Sequence, residues 1–284
     1  CSSDLITIVK SDDVMQKLMD FSSKGQRKLS PSAITSYHDC PLRFYFHYVA
    51  GIREEDEVNE ELDAAGFGSL LHYAMEELYS PLKGKIVNEV ALGEIREEEK
   101  VNTALKKAFN RSLSRQNKTK TLKEPEGRNL IVFEVIKTLI DQIIDTDKRI
   151  IPFKIIDLEL KVEHEVKLPA AGLCVRIGGI IDRLDERKGK LIIIDYKTGK
   201  ELLDPETLDF LFNRDLWKDK KFKGVMQTLI YSWVFEHAFQ PEQDIIPGIY
   251  VLPEIKNENF DPGVAFKKRT IDSFQNISKE FEKH

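Results

Sequence analysis

"GGIIDRLDERKGKLIIIDYKTGK", residues 178–200, is the stretch from which the rest of the chain is best read. The run 191–194 is apolar without alternation, so a strand there has both faces covered. It ends in Asp195 and Lys197, which the two-residue period of a strand projects to one side, with Tyr196 on the other. The preceding strand carries Asp182. If Lys188-Gly189 forms the turn, Asp182 stands directly across from Asp195; a glycine bulge would shift this register by one. Opposed side chains lie about 4.5–5.5 Å apart at Cβ, a distance at which like charges destabilise. In either register two carboxylates and an ammonium converge at the end of a buried strand.

A lone Asp-x-Lys is more often a structural ion pair. Here the second acid needs more counter-charge than one lysine supplies. Gly178 and Gly179 precede Asp182, as though the backbone approaches something closely. A hard divalent cation would satisfy the acid pair with oxygen ligands. The lysine would then orient or deprotonate a water, or steady charge building on a phosphoryl oxygen. With no metal, only Lys197 offsets the two acids, so neutralising Asp182 is expected to leave stability unchanged or raise it.

Upstream of this hairpin, "IIDLELKVEHEVKL" has period two, placing Ile156, Leu158, Leu160, Val162, Val166 and Leu168 on one face. Before Pro152 the period is helical. Phe67, Leu70, Leu71, Ala74, Met75, Leu78 and Tyr79 share a helical stripe, and a helix over about 127–147 turns Leu130, Phe133, Ile136, Ile140, Ile143 and Ile144 inward. Ser30 caps a helix with Pro31 at its first position, and Cys40-Pro41 breaks it. The acidic stretch 54–63 reads as a solvated loop or helix start. Downstream come a helix over about 222–239, a strand "IIPGIYVL" and a C-terminal helix. The expected fold class is α/β (α+β), with a helical N-terminal half and a mixed central sheet flanked by helices.

The 284 residues include 41% hydrophobic and 32% charged residues, a globular balance. No apolar run approaches the roughly 18–20 residues of a membrane span. Three widely spaced cysteines with no CxxC pair argue against a disulfide framework or zinc site and suit a reducing cytoplasm. The net charge of −5 does not advertise nucleic acid, although a local basic face can still bind phosphates. The chain opens on Cys1, as a fragment or processed product would.

The hairpin resembles the D-x(n)-(D/E)-x-K signature of the PD-(D/E)xK nucleases in their RecB-like form. "LSPSAITSYHDCPLRFYFHYVAGI" is similar to that family's opening helix pair, "GFGSLLHYAMEELY" to its histidine motif, and "MQTLIYSWVF" to its Gln-x-x-x-Tyr helix. The four segments lie in the expected order between about 29 and 235. The nearest likeness is to C-terminal nuclease domains of AddB-type helicase–nucleases. The resemblance implies a restriction-endonuclease-like core over 29–284, helical to about 150 and sheet-based from about 153, with 1–28 leading in from an upstream region. It implies Mg²⁺- or Mn²⁺-dependent hydrolysis of DNA, exonucleolytic rather than endonucleolytic, in recombination and double-strand break repair. Asp182 and Asp195 would be metal ligands and Lys197 the catalytic lysine. His72 and the Tyr196 backbone carbonyl would also face the metal. Glu159 would be the additional acid, with Glu163 sharing its face by parity. Gln227 and Tyr231, four apart on one helix face, would grip the DNA strand or brace Lys197.

The sequence departs from these relatives in one respect. They often hold an iron–sulfur cluster with one early cysteine and three late ones; Cys40 matches the first, but no cysteine follows Cys174, so no cluster is expected. Cys40 would then be a small buried thiol at a helix break. No Walker A loop is present, so no nucleotide is expected, and a helicase motor would lie in missing sequence or another polypeptide. Basic clusters occur at Lys118, Lys120, Lys123 and Arg128, and at 218–223. The second holds Lys221 and Lys223 beside Trp217 and Phe222 and is the better candidate for DNA backbone contacts. The rival reading is a non-catalytic DNA-binding or assembly module retaining the fold; the presence of both acids and the lysine favours the enzyme.

Overall fold

The computed structural model describes residues 7–52, 64–115, 127–169, 172–213 and 222–284. The acidic stretch 54–63 lies outside them, as do Lys118, Lys120, Lys123, Trp217 and Lys221. Among the described residues, a mixed sheet runs in the order β1 (Ile86–Val87), β2 (Phe153–Leu168), β3 (Leu173–Arg187), β4 (Lys190–Lys197), β5 (Ile245–Val251). Its strands pair antiparallel except β4 with β5, which are parallel. Lys188 and Gly189, at φ 49° and 76°, form the two-residue turn between β3 and β4, since both positions of a type I′ hairpin need positive φ. The ladder runs from Arg187↔Lys190 to Arg183↔Ile194, which puts Asp182 at the end facing Asp195, the first of the two registers expected.

The helices are α1 (Asp12–Met19), α2 (Pro31–Asp39), α3 (Pro41–Phe44), α4 (Ala64–Tyr79), α5 (Glu89–Ile95), α6 (Glu98–Arg115), α7 (Arg128–Lys148), α8 (Leu208–Phe212), α9 (Lys223–Phe239) and α10 (Gln275–Phe281). The Ser30 side chain accepts from the Ala33 N–H at 3.1 Å, and Pro31 follows at the first helical position. Cys40, with extended φ and ψ, separates α2 from α3. It is half-buried rather than buried, because a residue between two helix ends is covered by neither. None of the described helices is long and apolar enough to cross a membrane.

Two apolar cores sandwich the sheet. One joins α4, α6 and α7 to one sheet face; the other joins α9 and the C-terminal segment to the opposite face. Strand β4 feeds both: Leu191 and Ile193 enter the α9 core, Ile194 and Tyr196 the α4 core. The missing polar alternation in 191–194 therefore has its physical cause in burial on both sides. Residues 7–29 are bound into this fold. Val14 and Phe21 pack with Ala33, Phe44 and Val49, and the bridges Ser22↔Val175 and Leu29↔Ile177 join the segment to β3.

Several expected inward positions differ. Leu130, in the first turn of α7, is 50% exposed, whereas Phe133, one turn further on, is buried against Phe109 of α6. Leu158 packs with the α4 core, whereas Ile156, Leu160, Val162 and Val166 belong with the α9 core. A register shift between Ile155 and Asp157 and the left-handed Glu159 (φ 48°) break the strict alternation there. Leu168, near the tip of the β2–β3 hairpin, is exposed. Phe222 is buried against Phe210 and is not part of a surface for DNA.

Candidate active site

The interior of β2 and of β3, the end of β4, and helices α4 and α9 meet at one place. β4 brings Asp195 and Lys197 to one side, with Lys197 Nζ 2.8 Å from Asp195 Oδ2. From α9, Gln227 bridges the pair: its Oε1 accepts from Lys197 Nζ at 2.9 Å, and its Nε2 donates to Asp195 Oδ1 at 3.0 Å and to the Tyr231 hydroxyl at 3.3 Å. A side-chain amide suits this position because one end accepts from an ammonium while the other donates to a carboxylate. Gln227 thus contacts Lys197 directly, and Tyr231 contacts Gln227.

On β3, Asp182 Oδ2 accepts from the Tyr196 N–H at 2.9 Å, while Oδ1 lies 3.1 Å from His72 Nδ1. The other ring nitrogen of His72 is 3.2 Å from the Tyr196 carbonyl oxygen. With acceptors at both nitrogens, the ring is matched to its doubly protonated form. Glu159, on β2, has its carboxylate in the same cluster: one donor atom each from His72, Glu159 and Asp182 lie within 4.8 Å of one another. Glu163 does not reach it; this residue is exposed and pairs with Lys28 at 3.7 Å. The left-handed Glu159 backbone is an uncommon conformation for a non-glycine residue, of the kind retained at functional sites.

The charges divide unequally between the two aspartates. Burial pushes Asp182 up, but His72, the Tyr196 N–H and Lys197 outweigh it and hold this carboxyl below its usual range. Asp195 goes the other way: burial pushes it up to about 6, against Lys197, and the nearby Asp182 charge adds to the rise. Burial disfavours a charged His72, yet Asp182 and then Asp195 raise it to about 9. Burial and the Asp182 charge raise Glu159 to about 7. Burial also works against a charged Lys197, but Asp195 more than compensates and its pKa is raised. The expectation that only Lys197 offsets the acids is therefore incomplete: Asp182 has its own imidazolium and N–H, and the uncompensated burden falls on Asp195.

The donor set fits a divalent cation. Two carboxylates and an imidazole form the three-donor cluster, and hard-oxygen sites of this type suit Mg²⁺ or Mn²⁺. Asp195 Oδ2 is buried beside the ammonium but makes no aligned hydrogen bond, leaving acceptor capacity on the site's inner edge. Asp195 is turned toward Gln227 and Lys197, and Glu159 stands with His72 and Asp182.

At the two glycines the backbone does approach its neighbours closely. A side chain at Gly178 would strike the Val162 carbonyl at 2.3 Å, and one at Gly179 would strike the Tyr231 ring at 2.7 Å. They admit a neighbouring strand and the α9 tyrosine, not a ligand. Lys223 is half-exposed and 3.0 Å from Asp39, which also holds Arg43 at 2.9 Å.

Sequence reasoning missed the back of the site. Arg183, Asp185 and Asp147 are fully buried and paired. The Arg183 guanidinium donates to Asp185 through Nε and Nη2 at 2.8 and 2.7 Å, and to Asp147 through Nη1 at 2.7 Å. The Tyr79 and Tyr250 hydroxyls donate to Asp147 at 2.8 and 2.9 Å. The signal lay in the hairpin itself, where "DRLDER" sets four further charges into a strand otherwise reading as buried.

Known proteins resemble the chain over most of its length. It is 25% identical over 253 residues to an ATP-dependent helicase/deoxyribonuclease subunit of Streptococcus agalactiae serotype III (strain NEM316), covering 85% of this chain and 21% of that protein. It is 26% identical over 206 residues to the protein of the same name from Clostridium perfringens (strain SM101), covering 68% of this chain and 17% of that one. The chain thus spans about a fifth of the length of these relatives. The model of the PD-(D/E)XK nuclease superfamily matches residues 28–284, and the chain belongs to that superfamily.

Proposed function

We propose that the chain is a metal-dependent deoxyribonuclease module that hydrolyses DNA phosphodiesters, as part of a helicase–nuclease acting in recombination and double-strand break repair in the cytoplasm. The observation that carries this reading is the His72–Glu159–Asp182 cluster lying beside an ammonium held by Asp195 and Gln227. His72, Glu159 and Asp182 would hold Mg²⁺ or Mn²⁺, with Asp195 and the Tyr196 carbonyl at the site's inner edge. The ion would supply Lewis-acid stabilisation of the phosphoryl oxygens and an acidified water.

The chain's own residues do the rest. Lys197, with its pKa raised, is an ammonium at neutral pH. It would then donate to a phosphoryl oxygen or orient a water. Gln227 and Asp195 keep that ammonium in one place before substrate arrives, the preorganisation on which electrostatic stabilisation depends. Lys221 and Lys223 would contact the DNA backbone near the start of α9. The names of the relatives, which join helicase to deoxyribonuclease, support DNA as substrate and a helicase motor in the same polypeptide or a separate one. We place exonucleolytic above endonucleolytic action.

The test uses linear single- and double-stranded DNA labelled at one end, and a circular single strand, each with Mg²⁺, Mn²⁺ or EDTA. Metal-dependent loss of the linear substrates with the circle spared is expected. No cleavage of any substrate with either metal would contradict the enzyme reading, and cleavage of the circle would contradict the preference for ends.

A further inference from the structure

The buried network behind the site is a poor source of stability. Desolvating its three charges, Arg183, Asp185 and Asp147, costs about as much as their pairing returns, and well-packed apolar residues often do as well. Its placement suggests another use. Helix α4 carries both His72 and, seven residues or two turns later, Tyr79. At one end His72 meets Asp182 at 3.1 Å. At the other Tyr79 meets Asp147 at 2.8 Å, and Asp147 holds Arg183, the residue after Asp182 on β3. The helix is thus pinned twice to the same short piece of strand, by its imidazole in the site and by its phenol behind it. Arg183 also donates to the Tyr196 hydroxyl at 3.2 Å, and the Tyr196 backbone N–H and carbonyl are the groups that face Asp182 and His72.

We propose that Tyr79, acting through Asp147 and Arg183, is a positioning residue that sets the separation of His72 and Asp182 and so the affinity of the cluster for its metal. The proposal rests on the metal-site reading above. Tyr250 provides the control. Its hydroxyl donates to the same Asp147 at 2.9 Å, but it sits on β5, which carries neither His72 nor Asp182. Removing either hydroxyl costs Asp147 one hydrogen bond, whereas only Tyr79 shares a helix with His72.

The experiment measures Mn²⁺ affinity of the 284-residue chain by electron paramagnetic resonance of the free ion, together with melting temperature in EDTA. Wild type, Tyr79→Phe, Tyr250→Phe, His72→Ala and the Tyr79→Phe/His72→Ala double variant are compared. Both phenylalanine variants are expected to melt lower, Tyr250→Phe by at least as much, since its hydroxyl also accepts from Arg187 at 3.5 Å. Tyr79→Phe should weaken Mn²⁺ binding by about tenfold, the lower end of the effect of groups that orient metal ligands. Tyr250→Phe should change it less than about twofold. In the His72→Ala background the Tyr79→Phe effect on affinity should vanish, since a group acting through His72 has nothing left to position. Lower melting with unchanged Mn²⁺ affinity in Tyr79→Phe would show the network to be structural only and overturn the proposal. So would an equal loss of affinity in Tyr250→Phe, or a Tyr79→Phe effect that survives without His72. If the wild-type chain binds no Mn²⁺, the metal-site reading fails and takes the proposal with it.

Discussion

Replacing Asp195 with asparagine should stabilise the metal-free protein at neutral pH while abolishing its activity. Asp195 is buried and its pKa is raised from 3.8 to about 6. At about 1.4 kcal/mol per pKa unit, keeping it ionised at neutral pH costs the folded state about 3 kcal/mol. That figure already includes the attraction of Lys197. Asparagine keeps an acceptor for Gln227 but sets an amide N–H₂ or an unpaired oxygen where Lys197 Nζ had the Asp195 Oδ2 carboxylate oxygen, which takes back on the order of 1–2 kcal/mol. The net gain of about 1–2 kcal/mol corresponds to roughly 2–6 °C in melting temperature for a chain of this size. The sign can be checked through pH. A carboxyl whose folded pKa lies above its unfolded one favours the native state at low pH and loses that contribution as pH rises through about 6. The advantage of asparagine should therefore appear near pH 7.5 and disappear near pH 5. Scanning calorimetry of both proteins in EDTA at the two pH values measures it. A variant that melts below wild type at both would refute the reasoning. Asp182→Asn should behave oppositely and melt lower, because Asp182 is the carboxylate that His72 and the Tyr196 N–H stabilise. This reverses the expectation from sequence, in which Lys197 was the only group offsetting either acid.

Lys197→Ala should lower cleavage by about two orders of magnitude or more, the scale for one preorganised electrostatic group; near wild-type rates in a gel assay would remove it from the mechanism. Metal binding should release protons, because His72, raised to about 9, is charged without metal and must be neutral as a ligand. Titration calorimetry with Mn²⁺ near pH 7.5 in buffers of different ionisation enthalpy should give about one proton per ion, and none would show that His72 stays off the metal. Protein purified without oxygen should be colourless, since no cysteine follows Cys174, and stoichiometric iron and sulfide would contradict that ligand count.

The hairpin made most of the fold legible because its burial pattern is local: apolar 191–194 predicts a strand covered on both faces, and β4 does feed both cores. The Lys188-Gly189 turn likewise set the register from two residues. The site was legible as far as its residue types extend. His72, Glu159, Asp182, Asp195, Lys197 and Gln227 converge, but which acid faces which partner depends on distances the sequence does not hold. Asp195 turns to Gln227 and Lys197 because α9 packs against that side of the sheet, a tertiary fact. Parity could not separate Glu159 from Glu163; in the fold Glu159 stands beside His72 and Asp182, while Glu163 is exposed and pairs with Lys28. The network through Asp147 was hidden for the same reason. Asp147 lies near the end of α7, far from Arg183 in sequence, and nothing local to it announces Arg183 as its partner.

The central claim is that this cluster holds the divalent ion used in cleavage. Crystals of the chain grown with Mn²⁺, with diffraction recorded at the manganese absorption edge, test it most directly. An anomalous peak about 2.0–2.6 Å from carboxylate oxygens of Asp182 and Glu159, with His72 turned to it, is predicted. An ordered site with no peak there at millimolar Mn²⁺, His72 still bridging Asp182 and the Tyr196 carbonyl, would contradict it.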